Sequence, residues 1–137
     1  MSKILVIEDN KSIKQTILDL LDSKGFEIYS ACNGNEGIEL AKKVIPDLII
    51  CDIIMPLKNG FDVIKELSGD LSTSLIPFIF LSAKAEKDDI REGIELGAAD
   101  YITKPFRLGE LLNVINIRLK KSKVLKLNID QKDVTEK

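Results

Sequence analysis

The sequence has no histidine, no tryptophan and only two cysteines in 137 residues, and no apolar run approaches the ~20 residues of a membrane span. Each shortage removes a class of chemistry. Without histidine there is no Ser-His-Asp or Cys-His nucleophile pair and none of the common zinc sites. Any metal must then be held by oxygen, which favours Mg²⁺, Mn²⁺ or Ca²⁺. Cys32 and Cys51 are too few for a disulfide scaffold. Both lie in or beside apolar stretches and are expected as small core residues of a reduced, cytoplasmic protein. An excess of basic charge is also missing. Lys and Arg number 20 against 22 Asp and Glu, a net charge of −2, which argues against a nucleic-acid-binding face. Met1-Ser2-Lys3 leads straight into an apolar stretch, so no signal peptide is expected.

What remains is a chain of one-domain size with 45% hydrophobic and 31% charged residues, able to bury a core without staples. Apolar runs and helical patterns alternate along it. Residues 3–7 form an apolar strand. From Asn10, a plausible N-cap, Ile13, Ile17, Leu20 and Leu21 recur at helical spacing up to Gly25. Residues 27–31 form a second strand, closed by Asn33-Gly34, and a helix follows from Glu36 to Val44, stopped by Pro46. Residues 48–51 are the third strand, and Phe61, Ile64 and Leu67 mark the third helix. Residues 78–81 are the fourth strand. Ile90, Ile94 and nearby small residues mark a helix ending at Gly97, and Tyr101-Ile102 is a short fifth strand. The last helix carries Leu108, Leu111, Leu112, Ile115 and Leu119 and is expected to end at Lys120-Lys121. Residues 1–121 thus read as one domain and 122–137 as a tail or linker, or as a frayed extension of the last helix. Five βα units with near-continuous apolar strands predict a parallel sheet covered on both faces by helices. Right-handed crossovers put every strand's C-terminal end on one rim, where open α/β sheets bind ligands.

The polar residues cluster at those ends. Glu8-Asp9 follows the first strand, Asp52 the third, Ser82 the fourth and Lys104-Pro105 the fifth. Clustered carboxylates repel one another unless a cation sits between them, and a hard divalent ion relieves that repulsion while keeping waters and phosphate oxygens in its shell. Asp52 is then a ligand alone, or ligand and nucleophile. Lys104 supplies a point charge for a phosphoryl group, or is a solvated loop lysine. Ser82 donates to a phosphoryl oxygen, or caps the helix that follows.

Glu8-Asp9, Asp52 with Met55-Pro56 and Gly60, Leu81-Ser82-Ala83, and Gly97-Ala98-Ala99-Asp100-Tyr101 with Lys104-Pro105-Phe106 resemble the receiver domain of two-component response regulators. The resemblance covers residues 2 to about 121. It implies a flavodoxin-like, doubly wound α/β fold of five parallel strands in the order 2-1-3-4-5 with five helices; a chemotaxis regulator is the standard illustration of that order. It implies that Asp52 accepts a phosphoryl group from a phosphohistidine on a sensor histidine kinase or phosphotransfer protein. Asp9 would ligate Mg²⁺ (or Mn²⁺) directly, Glu8 mostly through water, and the Ile54 carbonyl would complete the protein ligands. Ser82 and Lys104 would bind the phosphoryl oxygens, the Lys104-Pro105 peptide would be cis, and Tyr101 would turn inward as Ser82 moves. An output domain or effector protein would read the face built by the fourth helix, fifth strand and fifth helix. Tyr101 read by itself is equally an edge-strand tyrosine half buried against the last helix.

The chain departs from the family's variable positions in two respects. Ile54, two residues after the acceptor, cannot orient an attacking water, which predicts a long-lived phosphoryl state; Lys84 holds the matching place after Ser82. Ile90 and Val114 stand where charge-paired dimers of winged-helix regulators carry arginine, so a weak homodimer through this face would rest on apolar contact. Other readings fare worse. Aspartate-nucleophile phosphohydrolases need a second Asp at the position of Ile54. Dinucleotide binding needs a Gly-rich turn where Glu8-Asp9-Asn10 stands. A degenerate receiver that binds without phosphorylation ranks second, because every key site residue is present.

Overall fold

The computed structural model describes residues 1–84 and 86–135, with side chains up to residue 125 in the last helix. Five strands, β1 (Lys3–Ile7), β2 (Glu27–Ala31), β3 (Leu48–Cys51), β4 (Phe78–Ser82) and β5 (Asp100–Thr103), alternate with α1 (Lys11–Ser23), α2 (Gly34–Val44), α3 (Gly60–Ser68), α4 (Lys87–Glu95) and α5 (Leu108–Thr135). All pairings are parallel, as the sequence pattern predicts, and the order is β2-β1-β3-β4-β5, as the resemblance implies. Among the described residues no helix is long and apolar enough to cross a membrane.

Strand alternation divides the core in two. Leu5, Ile7, Ile49, Cys51, Phe78 and Phe80 point to one face, where they meet Ile38 and Ala41 of α2 and Phe61, Ile64 and Leu67 of α3. Ile4, Val6, Leu48, Ile50, Ile79 and Leu81 point to the other, against Ile17 and Leu21 of α1 and Leu111, Ile115 and Leu119 of α5. Each such side chain taken fully out of water contributes about 1.5–3 kcal/mol. Side-chain caps fix where helices begin: Asn10, Asn33 and Asn59 each accept an N–H three residues on, and Asn59 with Asp62 forms a reciprocal capping box.

Three local expectations need correction. Cys32 is exposed rather than part of the core, because it lies just past the end of β2 where the rim opens to solvent; its Sγ sits 3.0 Å from Glu36 Oε2. Cys51 is buried as expected. Ile94 does not face the core: it is 47% exposed, and the one buried residue of α4 is Gly93. A Cβ on Gly93 would stand 3.0 Å from the Phe80 ring and 3.1 Å from the Tyr101 ring, so α4 approaches the sheet through bare backbone. Finally, α5 does not stop at Lys121 but continues to Thr135, while Glu136 and Lys137 lie outside the described residues. Its inward stripe of Leu111, Ile115 and Leu119 ends at Leu119. Beyond it the described side chains are exposed save half-buried Ser122.

Candidate functional site

The hydrogen-bond ladder of the sheet extends past the strand ends onto the polar residues of the rim. The Glu8 N–H donates to Ala31 O at 3.1 Å, the Asp52 N–H to Ile7 O at 3.0 Å and the Lys104 N–H to Ser82 O at 2.8 Å. Three residues far apart in sequence are thereby fixed to neighbouring strands, with their side chains converging above the sheet. The loop after Asp52 is equally constrained. It folds back so that the Gly60 N–H donates to Ile53 O at 2.9 Å, and a Cβ on Gly60 would lie 2.4 Å from the Asp52 carbonyl oxygen. Only glycine admits that approach. The Lys104-Pro105 peptide is cis, as the resemblance implies.

Glu8 (2% exposed) and Asp52 (5%) are buried, whereas Asp9 is exposed. The three carboxylates each offer an oxygen within 4.8 Å of one another. Lys104 Nζ bridges two of them, 2.7 Å from Glu8 Oε1 and 3.3 Å from Asp52 Oδ2. The other Asp52 oxygen accepts the Ile54 N–H at 3.3 Å, and Glu8 Oε2 accepts the Asn10 N–H at 3.3 Å. Burial pushes the Glu8 carboxyl up to about 7; the Lys104 bond pulls it down and the neighbouring Asp52 pushes it up again. Burial also opposes the charge on Lys104, but its bonds to Glu8 and the charge of Asp52 outweigh this and hold its pKa above the ordinary lysine value. Three carboxylates against one ammonium leave two negative charges at full ionisation, the charge complement of one divalent cation. An all-oxygen donor set of this size fits a hard ion.

Ser82 is fully buried at the end of β4, in register with Thr103 of β5. It does not cap a helix: α4 begins at Lys87, after Glu86, which makes no side-chain cap bond. Instead its Oγ accepts the Lys84 N–H at 3.2 Å. The Lys84 carbonyl in turn accepts the Tyr101 hydroxyl. One peptide segment therefore ties Ser82 to Tyr101, a link between two backbone groups that side-chain identities could not disclose. The Tyr101 ring is half buried, 5.9 Å from the Phe80 ring and against Gly93 of α4 rather than against the last helix. On the same face Asp100 pairs with Arg118 of α5 at 3.2 Å. Sequence reasoning sought arginine only at positions 90 and 114 and missed this partner. Beside Lys104, the residues Ser12, Ile13 and Thr16 of α1 and Pro105, Phe106 and Leu108 border a groove of about 520 Å³.

The receiver-domain profile of response regulators matches residues 4–116. Over 127 residues the chain is 40% identical to the transcriptional regulatory protein DltR of Streptococcus agalactiae, covering 92% of this chain and 55% of DltR. Over 116 residues it is 36% identical to protein PilH of Pseudomonas aeruginosa, covering 85% of this chain and 96% of PilH. The receiver domain of Francisella response regulator 1452 superposes with a TM-score of 0.83 at 33% identity, over 89% of this chain and 99% of that one. The chain thus spans about half the length of DltR and nearly all of PilH. Fold, rim chemistry and these similarities converge: the chain belongs to the response regulator receiver domain family of two-component signal transduction.

Proposed function

We propose that Asp52 accepts a phosphoryl group from a phosphohistidine on a sensor histidine kinase or phosphotransfer protein, and that the change is read by an output domain or effector. One observation carries the reading: a buried carboxylate is held by the Ile54 N–H and the Lys104 ammonium inside a cluster whose charge matches a divalent ion. Glu8, Asp9 and Asp52, with the Ile54 carbonyl, would hold Mg²⁺ or Mn²⁺, which supplies charge neutralisation for carboxylate and phosphoryl oxygens.

An Asp52 oxygen forms the new O–P bond as the donor's N–P bond breaks, and the bonding pair returns to the imidazole nitrogen, which takes up a proton. Lys104 exchanges its carboxylate contacts for a phosphoryl oxygen, and Ser82 donates its hydroxyl to another. Because the Lys84 N–H rests on Ser82 Oγ and the Lys84 carbonyl holds Tyr101, movement of Ser82 is felt at the α4–β5–α5 face. The domain catalyses only its own phosphorylation and slow hydrolysis, acts in the cytoplasm and binds neither nucleic acid nor membrane itself. Residues 122–137 serve as a tail or linker.

The test is intact mass after incubation with phosphoramidate, with and without Mg²⁺, for the parent chain and Asp52→Asn. One added phosphoryl group that requires both Mg²⁺ and Asp52 is expected. Addition to the Asp52→Asn variant at the same rate, or no addition to the parent, refutes the assignment.

A further inference from the structure

Leu57 sits in a backbone conformation that leucine avoids. Its φ is +68°, and the Lys58 N–H closes onto the Pro56 carbonyl at 2.8 Å, one residue on either side of it. That is a γ-turn of the positive-φ kind, which is rare and strained for a residue with a Cβ. Glycine or asparagine would sit there with less strain. The strain yields no packing in return, because Leu57 is 98% exposed. Strain kept at a position that gives the fold nothing points to a use outside the fold.

Location narrows that use. Leu57 lies in the β3–α3 loop, five residues after Asp52, on the rim that carries the site. Ile54, between them, is 52% exposed. With Pro56, Lys58, Cys32 and Asn33, Leu57 borders a cavity of about 370 Å³ between the β2–α2 and β3–α3 loops. Asp52 is only 5% exposed, so a protein donor must press its surface onto the rim to bring phosphorus within bonding reach. A small phosphodonor needs no such contact.

We infer that Leu57 is an apolar anchor on which the phosphohistidine-bearing protein seats, a specificity-determining residue for protein donors that takes no part in the chemistry. The inference rests on Asp52 as phosphoacceptor. The experiment follows phosphoryl transfer to the full chain from two donors, phosphoramidate and the phosphohistidine form of a purified four-helix phosphotransfer domain. The variants are Leu57→Asn, which tolerates the turn and removes the apolar surface, and Leu57→Met, which keeps it.

Leu57→Asn is expected to melt no lower than the parent chain and to react with phosphoramidate at the same rate. Its kcat/KM with the phosphotransfer domain should fall about tenfold, chiefly through KM, as for an interface anchor. Leu57→Met should retain parental KM. Equal KM for the parent and Leu57→Asn overturns this inference alone, as does failure of the domain to phosphorylate the parent while phosphoramidate succeeds. Failure of phosphoramidate to label Asp52 overturns the phosphoacceptor reading and this inference with it.

Discussion

Glu8 makes the metal-free protein less stable as pH rises. An ordinary glutamate in the unfolded chain releases its proton near 4.5, whereas in the fold Glu8 holds it to about 7, chiefly because the carboxylate is buried. The folded state therefore binds more protons between these values. A raised carboxyl pKa means stability present at low pH and lost as pH climbs through the window, with no further loss above it. The gap of about 2.5 pH units corresponds to about 3 kcal/mol, most of which falls between pH 5 and pH 8. For a chain of 137 residues this is roughly 8–10 °C in melting temperature. Lys104 adds no slope here, since its pKa lies above the ordinary lysine value and it stays charged throughout. The assay is thermal unfolding in EDTA at pH 5, 6, 7 and 8 for the parent chain and Glu8→Gln. Subtracting the two curves removes the other carboxylates. The parent should lose stability relative to Glu8→Gln across this range, and excess Mg²⁺ at pH 8 should restore it by binding only the folded form. Parallel curves would refute the argument that burial of Glu8 sets the energetics of the site.

Three further outcomes follow from the geometry. Ile54→Asn places a polar group where an exposed isoleucine now stands beside Asp52, and the phosphorylated protein should lose its label about tenfold faster, measured by decay of phosphoprotein after donor removal. An unchanged lifetime would remove Ile54 as the reason for slow hydrolysis. Gly60→Ala drives a methyl against the Asp52 carbonyl, 2.4 Å away, and should lower stability by about 1–3 kcal/mol in urea titration while slowing phosphorylation. Tyr101→Phe removes the bond to the Lys84 carbonyl and should lower stability by about 1 kcal/mol while leaving phosphorylation by phosphoramidate intact.

The sheet and its rim could be read from the sequence because both rest on strong, local signals. Apolar runs of four or five residues fix the strands, and a parallel sheet sends their ends to one edge, so Glu8, Asp9, Asp52 and Lys104 meet, with Ser82 at the strand end beside Lys104, whatever the detail of the loops. What escaped depends on backbone and on neighbours. The apolar residues of α4 suggested that Ile94 faces inward, but a helix lying on two aromatic rings needs its smallest residue there, and Gly93 takes the place. Ser82 and Tyr101 are joined through the N–H and C=O of residue 84, whose side chain is immaterial to the link. The partner of Asp100 lies 18 residues away on α5, at a spacing no local pattern marks. The exposure of Cys32 follows from a boundary one residue wide, the difference between strand end and rim.

Gly93 has a mechanical consequence. The helices α1 and α3 lock onto the sheet with bulky side chains, Ile17 and Leu21 in one and Phe61, Val63, Ile64 and Leu67 in the other. Moving either means lifting knobs out of sockets. By contrast, α4 bears on Phe80 and Tyr101 through a smooth patch of main chain, with no large side chain set into the sheet. A smooth bearing can glide or roll without opening a void, so displacement of α4 carries little of the penalty that cavity formation imposes elsewhere in the domain. One of the two surfaces it rides on is the Tyr101 ring, so a swing of that ring would change the seat on which the helix rests.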